Sequence, residues 1–231
     1  MAQSTFTERL IRLRKVLKEN SMSGHQKTID NADVSNYFDR CFEEGLFLKF
    51  EQDEFRRVKR LLDLFNIQTG YRVVEPGCGC GRLTKLLSEQ VGTTGQIDAC
   101  DVSSKMFNYC LSQHLPPQVR FHNKSVLDIE IAKGTIDCVV CFNVWPHFSP
   151  PGIFLNHFHK ILKKNGALHI AHSRGRDYIN SVHRNSSADT IRRHYLPPAR
   201  ELAEQLLKEG WNVITWHDDA DLYYIGAKKI R

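Results

Sequence analysis

The run Val73-Val74-Glu75-Pro76-Gly77-Cys78-Gly79-Cys80-Gly81 constrains this chain more than any other segment. Two β-branched residues followed by a carboxylate describe the end of a buried parallel strand. Glycine then holds every second position, so the chain can turn with positive φ and bring bare backbone against a ligand. The stretch Arg82 to Gln90 reads as the following helix, whose first N–H groups point at the same spot. Asp101 stands 20 positions beyond Gly81, at the end of the next apolar run, placed to accept ribose hydroxyls. These residues alone predict a site for a ribose-bearing cofactor.

The spacing disfavours a dinucleotide. A pyrophosphate-binding turn has the pattern Gly-x-Gly-x-x-Gly, whose third glycine packs helix against strand. Here the third glycine, Gly81, comes one position early and Arg82 occupies the expected place. Glu75 adds a negative charge that repels a pyrophosphate and suits a cationic or zwitterionic ligand.

Beyond Tyr71 the chain alternates strand and helix: strands over 71–75, 96–101, 118–122, 136–142 and 167–172, helices over 82–90, 103–112 and 151–163. Such β–α units predict a parallel sheet covered on both faces. A long loop then leads to a helix from Pro198 to Glu209, ended by Gly210. The last two strands, Trp211–His217 and Leu222–Lys228, are joined by only Asp218 to Asp221, which permits nothing but an antiparallel hairpin. The expected fold is α/β: a seven-stranded, mostly parallel Rossmann-like sheet with an antiparallel last strand and helices on both faces. Residues 1–52 form an N-terminal helical cap, with an amphipathic basic helix from Phe6 to Glu19, a polar linker over 20–33, and further helices over 34–44 and 52–65. Residues 53–231 form the main domain, with an insertion near 173–196 whose Gly175 suits a lid.

These motifs resemble those of the class I S-adenosylmethionine-dependent methyltransferases, whose first motif reads acidic-x-Gly-x-Gly-x-Gly. Further matches follow in order: Ile97-Asp98-Ala99-Cys100-Asp101-Val102-Ser103 on the second strand, Thr135 to Asn143 on the fourth, and Leu162-Lys163-Lys164-Asn165-Gly166-Ala167-Leu168 as the turn into the fifth. The resemblance spans roughly Phe55 to Lys228. It implies that S-adenosylmethionine, leaving as S-adenosylhomocysteine, is held by Glu75, Gly77, Cys78, Gly79, Gly81, Asp101, Val102, Met106, Ser125, Val126, Leu127 and Asn143. Met106 stands where an apolar side chain covers adenine. Ser125 departs from the pattern, because an acid usually occupies its place; Asp128 or backbone groups around Val126 can substitute.

The chemistry asks little of the protein beyond alignment and exclusion of water, since the sulfonium already activates the methyl carbon; a base is needed only for a protonated acceptor. His147 after the fourth strand, His172 ending the fifth and His183 beyond it are the candidate catalytic residues. Their roles stay open among general base, substrate ligand and a three-histidine metal site. His169, out of phase with His172, should face packing. No metal is assigned: Cys78-x-Cys80 reads as part of the glycine loop and Cys138-x-x-Cys141 as part of an apolar strand. Arg174 and Arg176 suggest a pocket for a carboxylate or phosphate, which guanidinium forks grip bidentately.

The expected activity is therefore methyl transfer to a small, acidic acceptor. The net charge of +6 keeps a nucleic-acid methyltransferase as an alternative. Against it, the basic stretches lack interleaved aromatic platforms, and Asn143-Val144-Trp145-Pro146 is not an Asn/Asp-Pro-Pro-aromatic motif. A non-catalytic cofactor-binding module is the third reading. No apolar run reaches the ~20 residues needed to span a bilayer, and the start lacks the apolar core of a secretory signal. Seven scattered cysteines argue against a disulfide framework, so a cytoplasmic protein without membrane partners is expected. The apolar stripe of the first helix hints at a homodimer.

Overall fold

The computed structural model describes residues 31–230. The helix expected over 6–19 and most of the expected linker lie outside the described residues.

Strand β1 (Arg72–Pro76) is buried on both faces after its first residue, which explains why its sequence does not alternate. It pairs in parallel with β2 (Gln96–Cys100) on one side and β4 (Ile136–Phe142) on the other. β3 (Val119–His122) extends the β2 edge, and β5 (Leu162–His172) lies parallel to β4. β7 (Tyr223–Lys229) then runs antiparallel to β5, with β6 (Trp211–Asp218) antiparallel at the outer edge. The sheet order is β3-β2-β1-β4-β5-β7-β6. The order reverses between β1 and β4, and the crevice outside their carboxyl ends is where open α/β sheets bind ligands.

Helix α1 (Asn31–Glu43) precedes α2 (Gln52–Phe65), α3 (Arg82–Val91), α4 (Ser104–Ser112) and α5 (Pro151–Ile161). In α2 the buried Val58, Leu61 and Phe65 recur at helical spacing, and Phe65 packs against His169 and Tyr224 on the sheet. Removing Leu61, fully buried, by substitution with Ala would cost about 2–5 kcal/mol. The helix stops where Asn66 turns left-handed and its N–H bonds the Leu62 carbonyl.

Two local expectations are corrected. The fifth strand begins at Leu162 rather than 167, and α5 ends at Ile161 rather than 163. Leu162 pairs with Ile136, but the ladder resumes only at Cys138–Ala167, so 163–166 bulges out of register. The segment after β5 is not a long loop: it holds α6 (Arg176–Arg184) and the short α7 (Asp189–Arg192), followed by α8 (Ala199–Lys208). α6 escaped a hydrophobic-period reading because the residues it buries are polar, Asn180 and His183. The Asn180 amide donates to Leu196 O at 2.9 Å and accepts from Leu196 N at 2.8 Å, satisfying a buried loop. Gly175, expected to suit a lid, is closely packed against the β6–β7 link. Its N–H donates to Ala220 O, and a Cβ there would stand 2.2 Å from Asp219 O.

Candidate active site

The glycine loop is held from behind. Gly77 and Cys78 donate their N–H groups to Cys100 O at 2.8 and 3.0 Å, and Gly79 N donates to Asp101 Oδ2 at 2.8 Å. Asp101 Oδ1 accepts from Ser103 N at 2.8 Å. Both carboxylate oxygens of Asp101, which lines the cavity over this loop, are thus fixed by main-chain donors. At Gly77 a side chain is excluded twice over: φ is +71°, and an added Cβ would stand 2.4 Å from Val144 Cγ2.

A first cavity of about 160 Å³ opens over this loop. Of the residues expected to hold the cofactor, Gly77, Cys78, Gly79, Asp101, Val102, Met106, Ser125, Val126 and Asn143 line it. Three do not. Glu75 lies behind the loop, 2% exposed, with Oε2 unpartnered; burial pushes its pKa up to about 8. Gly81 caps α3 in left-handed conformation, facing Cys110. Leu127 is turned back against the core by the 3-10 turn Val126–Asp128, whose cap is the Ser125 hydroxyl accepting from Leu127 N.

A second cavity, of about 210 Å³, adjoins the first, and Phe38, Phe47, Arg82, Asn143 and His147 line both. His147, His172, His183 and Arg174 reach it from three segments, after β4, at the end of β5 and on α6. Arg176 does not: its guanidinium pairs with Asp218 and Asp177, away from both cavities. The reason is α6 itself, which starts at Arg176 and turns that side chain towards the β6–β7 hairpin. Arg174 instead lies over the Tyr178 ring at 5.2 Å. His169 faces packing, with Nδ1 against the Tyr224 hydroxyl at 2.9 Å.

Several site residues carried no sequence signal. His194, beyond α7, meets His147 Nδ1 to Nδ1 at 2.5 Å, while His183 Nδ1 donates to the His194 carbonyl at 3.0 Å. Glu54 in the first turn of α2 accepts from Ser173 Oγ at 2.9 Å and from Arg82 at 3.1 Å. Arg82 also donates to Lys49 O and covers the Phe50 ring at 4.3 Å. From α1, Ser35 Oγ donates to Val102 O, and Asp39 accepts from Ser103 Oγ and Lys105 N. These contacts tie the N-terminal helices to the rim of the first cavity. Only their acidic or hydroxylic character was visible in sequence, and that is shared with every solvated helix.

The histidines are held neutral at pH 7. Burial pushes His172 down to about 3 and His194 to about 4, with His183 adding to both. Burial also places His147 well below its usual value, helped by His183, His194 and His172, and lowers His183. Among the described residues, no group of three or more His, Cys, Asp or Glu side chains is arranged to hold a metal ion.

Comparison with known proteins fits this geometry. Residues 73–166 match the model of a methyltransferase domain family. The sheet built around that segment is the fold of S-adenosylmethionine-dependent methyltransferases. A SAM-dependent methyltransferase from Aquifex aeolicus shares its fold with TM-score 0.61 and 20% identity, covering 87% of this chain and 99% of that one. An S-adenosylmethionine-dependent methyltransferase from Mesorhizobium loti gives 0.60 and 12%, covering 74% and 96%. The Haemonchus contortus phosphoethanolamine N-methyltransferase 2, solved with phosphomonomethylethanolamine and S-adenosylhomocysteine, gives 0.65 and 14%, covering 89% of this chain and 61% of that one. No curated protein matches this chain by sequence. Among its described residues no helix is long and apolar enough to cross a membrane.

The residues present fit S-adenosylmethionine. The loop is a cradle that a side chain at Gly77 would fill, and the orphaned Glu75 carboxyl behind it awaits a cationic neighbour. When bound, the cofactor supplies an electrophilic methyl group on a positively charged sulfur. Gly77, Gly79, Asp101 and Met106, all lining the first cavity, are the residues that would hold it there.

Proposed function

We propose that this methyltransferase transfers the methyl group to a small acceptor carrying an anionic group, bound in the second cavity. The observation that carries the reading is the wall common to both cavities, where Phe38, Phe47, Asn143 and His147 face cofactor and acceptor sides alike. Aromatic and aliphatic side chains, Leu46, Ile179, Val182 and Ile191 among them, form the acceptor cavity, while Lys49 and Arg174 offer positive charge to the anionic group. The phosphorylated amine bound by the Haemonchus contortus protein is an acceptor-sized anion seated on the same fold. His172 is buried, neutral, and has both ring nitrogens unpartnered, so it provides one donor and one lone pair to a polar group of the acceptor.

In this reading the described part of the expected 1–52 cap, residues 31–52, covers the acceptor cavity, because Tyr37, Phe38, Leu46, Phe47, Lys49 and Glu51 wall it. Residues 53–231 are the methyltransferase domain, with 173–196 as its acceptor-side insertion. The buried, unpaired thiols of all seven cysteines suit a reducing, cytoplasmic setting.

Titration calorimetry with S-adenosylhomocysteine, with NADH as control, tests the cofactor cavity; binding should be lost in Asp101→Ala. Transfer of labelled methyl from S-adenosylmethionine to a panel of carboxylate- and phosphate-bearing small molecules then tests the acceptor class. Turnover confined to cationic or polymeric acceptors would remove the anion-binding assignment.

A further inference from the structure

We propose that His194 is a positioning residue for His147. The two imidazoles share one proton between their Nδ1 atoms, and the pair takes up the proton that methyl transfer displaces from the acceptor. This rests on the reading that cofactor and acceptor occupy the first and second cavities.

At 2.5 Å two bare ring nitrogens would repel, so a proton lies between them. A neutral pair then carries one further proton on one of its two Nε2 atoms. If His147 is the Nδ1 donor, its Nε2 is a free lone pair and His194 Nε2 holds the proton. If His194 is the donor, the assignments exchange. His147 lines both cavities, whereas His194 Nε2 is buried without a partner. A positively charged sulfur in the first cavity favours the first arrangement, because it turns the His147 lone pair rather than an N–H towards the cation.

The proton balance follows. The bond from the acceptor nucleophile to carbon forms as the carbon–sulfur bond breaks, and the electron pair of the latter stays on sulfur. The proton of the nucleophile passes to His147 Nε2, and the shared proton moves to His194 Nδ1. His147 ends neutral and His194 cationic, one ring further from the cavity. Positive charge leaves sulfur as it arrives on the pair, so the pair need not accept a cation beside another cation.

The groups facing the pair are His183 on α6, His172 at the end of β5 and the Phe38 ring edge on α1, with the Arg82–Glu54 ion pair and Lys124 further along the cavity walls. The nearest titratable neighbours are histidines rather than carboxylates. Low proton affinity in the resting state is the consequence, and the loss of the sulfur charge is what raises it.

The test needs no identified acceptor. The full chain, labelled with ¹⁵N at histidine, is titrated by NMR as its complexes with S-adenosylmethionine and with S-adenosylhomocysteine, which differ by the sulfur charge. His147 and His194 signals are assigned through His147→Gln and His194→Gln variants. The expected result is an unprotonated His147 Nε2 in the S-adenosylmethionine complex, with proton affinity of the pair about ten-fold higher in the S-adenosylhomocysteine complex. His194→Gln should leave cofactor affinity unchanged and alter the His147 tautomer signature. Equal proton affinities in the two complexes, or a protonated His147 Nε2, would overturn the proposal while calorimetric binding of S-adenosylhomocysteine leaves the cavity reading standing. Stoichiometric Zn²⁺ binding that shifts both signals, reversed by chelator, would also overturn it, making the pair metal ligands. Failure of S-adenosylhomocysteine to bind would bring down the cavity reading and, with it, the proposal.

Discussion

Asn143 and Ser173 close the carboxyl ends of β4 and β5 on each other. Asn143 Oδ1 accepts from Ser173 N at 3.0 Å, and its Nδ2 donates to Ser173 Oγ at 3.2 Å. Ser173 Oγ passes the contact to Glu54, which holds Arg82. Asn143 sits at φ +54°, a conformation that asparagine tolerates better than most residues. The wall shared by the two cavities is therefore anchored to both strands and to the N-terminal helices.

Asn143→Ala should destabilise the protein by about 1–3 kcal/mol, since it removes two part-buried hydrogen bonds and leaves an alanine at positive φ. Urea denaturation measures this. Asn143→Gly, which relieves the backbone but not the hydrogen bonds, should fall between the two.

Acid should unfold this protein early. Burial depresses the pKa values of His147, His169, His172, His183 and His194 in the folded state, to about 3 for His169 and His172 and about 4 for His194. Below the unfolded value of about 6.5 the unfolded chain binds these protons first. Stability is thus full above pH 6.5 and falls as pH drops, by up to about 1.4 kcal/mol per pH unit for each buried histidine. Glu75 acts in the opposite sense. Its raised folded pKa favours the protonated state, so its share is full below about pH 4.5 and is lost as pH rises through about 8. Denaturation midpoints should fall between pH 7 and 5, and Glu75→Gln should improve stability only on the alkaline side. A flat profile between pH 7 and 5 would contradict the neutral histidine cluster.

The two candidate arginines should separate cleanly. Arg174→Gln is expected to raise acceptor KM about ten-fold or more with S-adenosylhomocysteine affinity unchanged. Arg176→Gln should leave both constants alone and cost about 1 kcal/mol of stability through its half-buried pair with Asp218. Steady-state kinetics with the acceptor found by methyl-transfer screening checks both.

Gly77→Ala should abolish measurable cofactor binding. The added methyl meets Val144 Cγ2 at 2.4 Å and holds an unfavourable φ. Pairing it with Val144→Ala removes the clash but not the backbone strain, so affinity should return only in part. Full recovery in calorimetry would show that sterics alone keep this position glycine.

The cofactor half of the molecule was legible because its signals are local. The glycine loop, the strand ends at Glu75 and Asp101 and the short link between β6 and β7 are each contained in a few consecutive residues. Their errors are local too. The resemblance implies Leu127 at the cofactor, whereas a single 3-10 turn, invisible in composition, packs it against the core. Arg176 was placed beside Arg174 on the assumption of a loop, whereas the intervening backbone begins a helix and sends the two side chains to opposite neighbours.

The sequence by itself determined the sheet, its antiparallel edge and the position of the cofactor loop. Strand burial, glycine turns and hairpin length act over distances shorter than one β–α unit. The acceptor side was decided only by tertiary structure. Lys49, His147, Arg174, His183 and His194 come from segments with little or no apolar period, Glu54 comes from the polar first turn of α2, and no spacing rule relates them. They meet because the N-terminal helices and α6 pack over the carboxyl edge of the sheet through polar contacts such as Asn180–Leu196 and Asp39–Ser103. Hydrogen bonds between distant residues leave no periodic trace in a chain, so the cavity they enclose becomes visible only once it is folded.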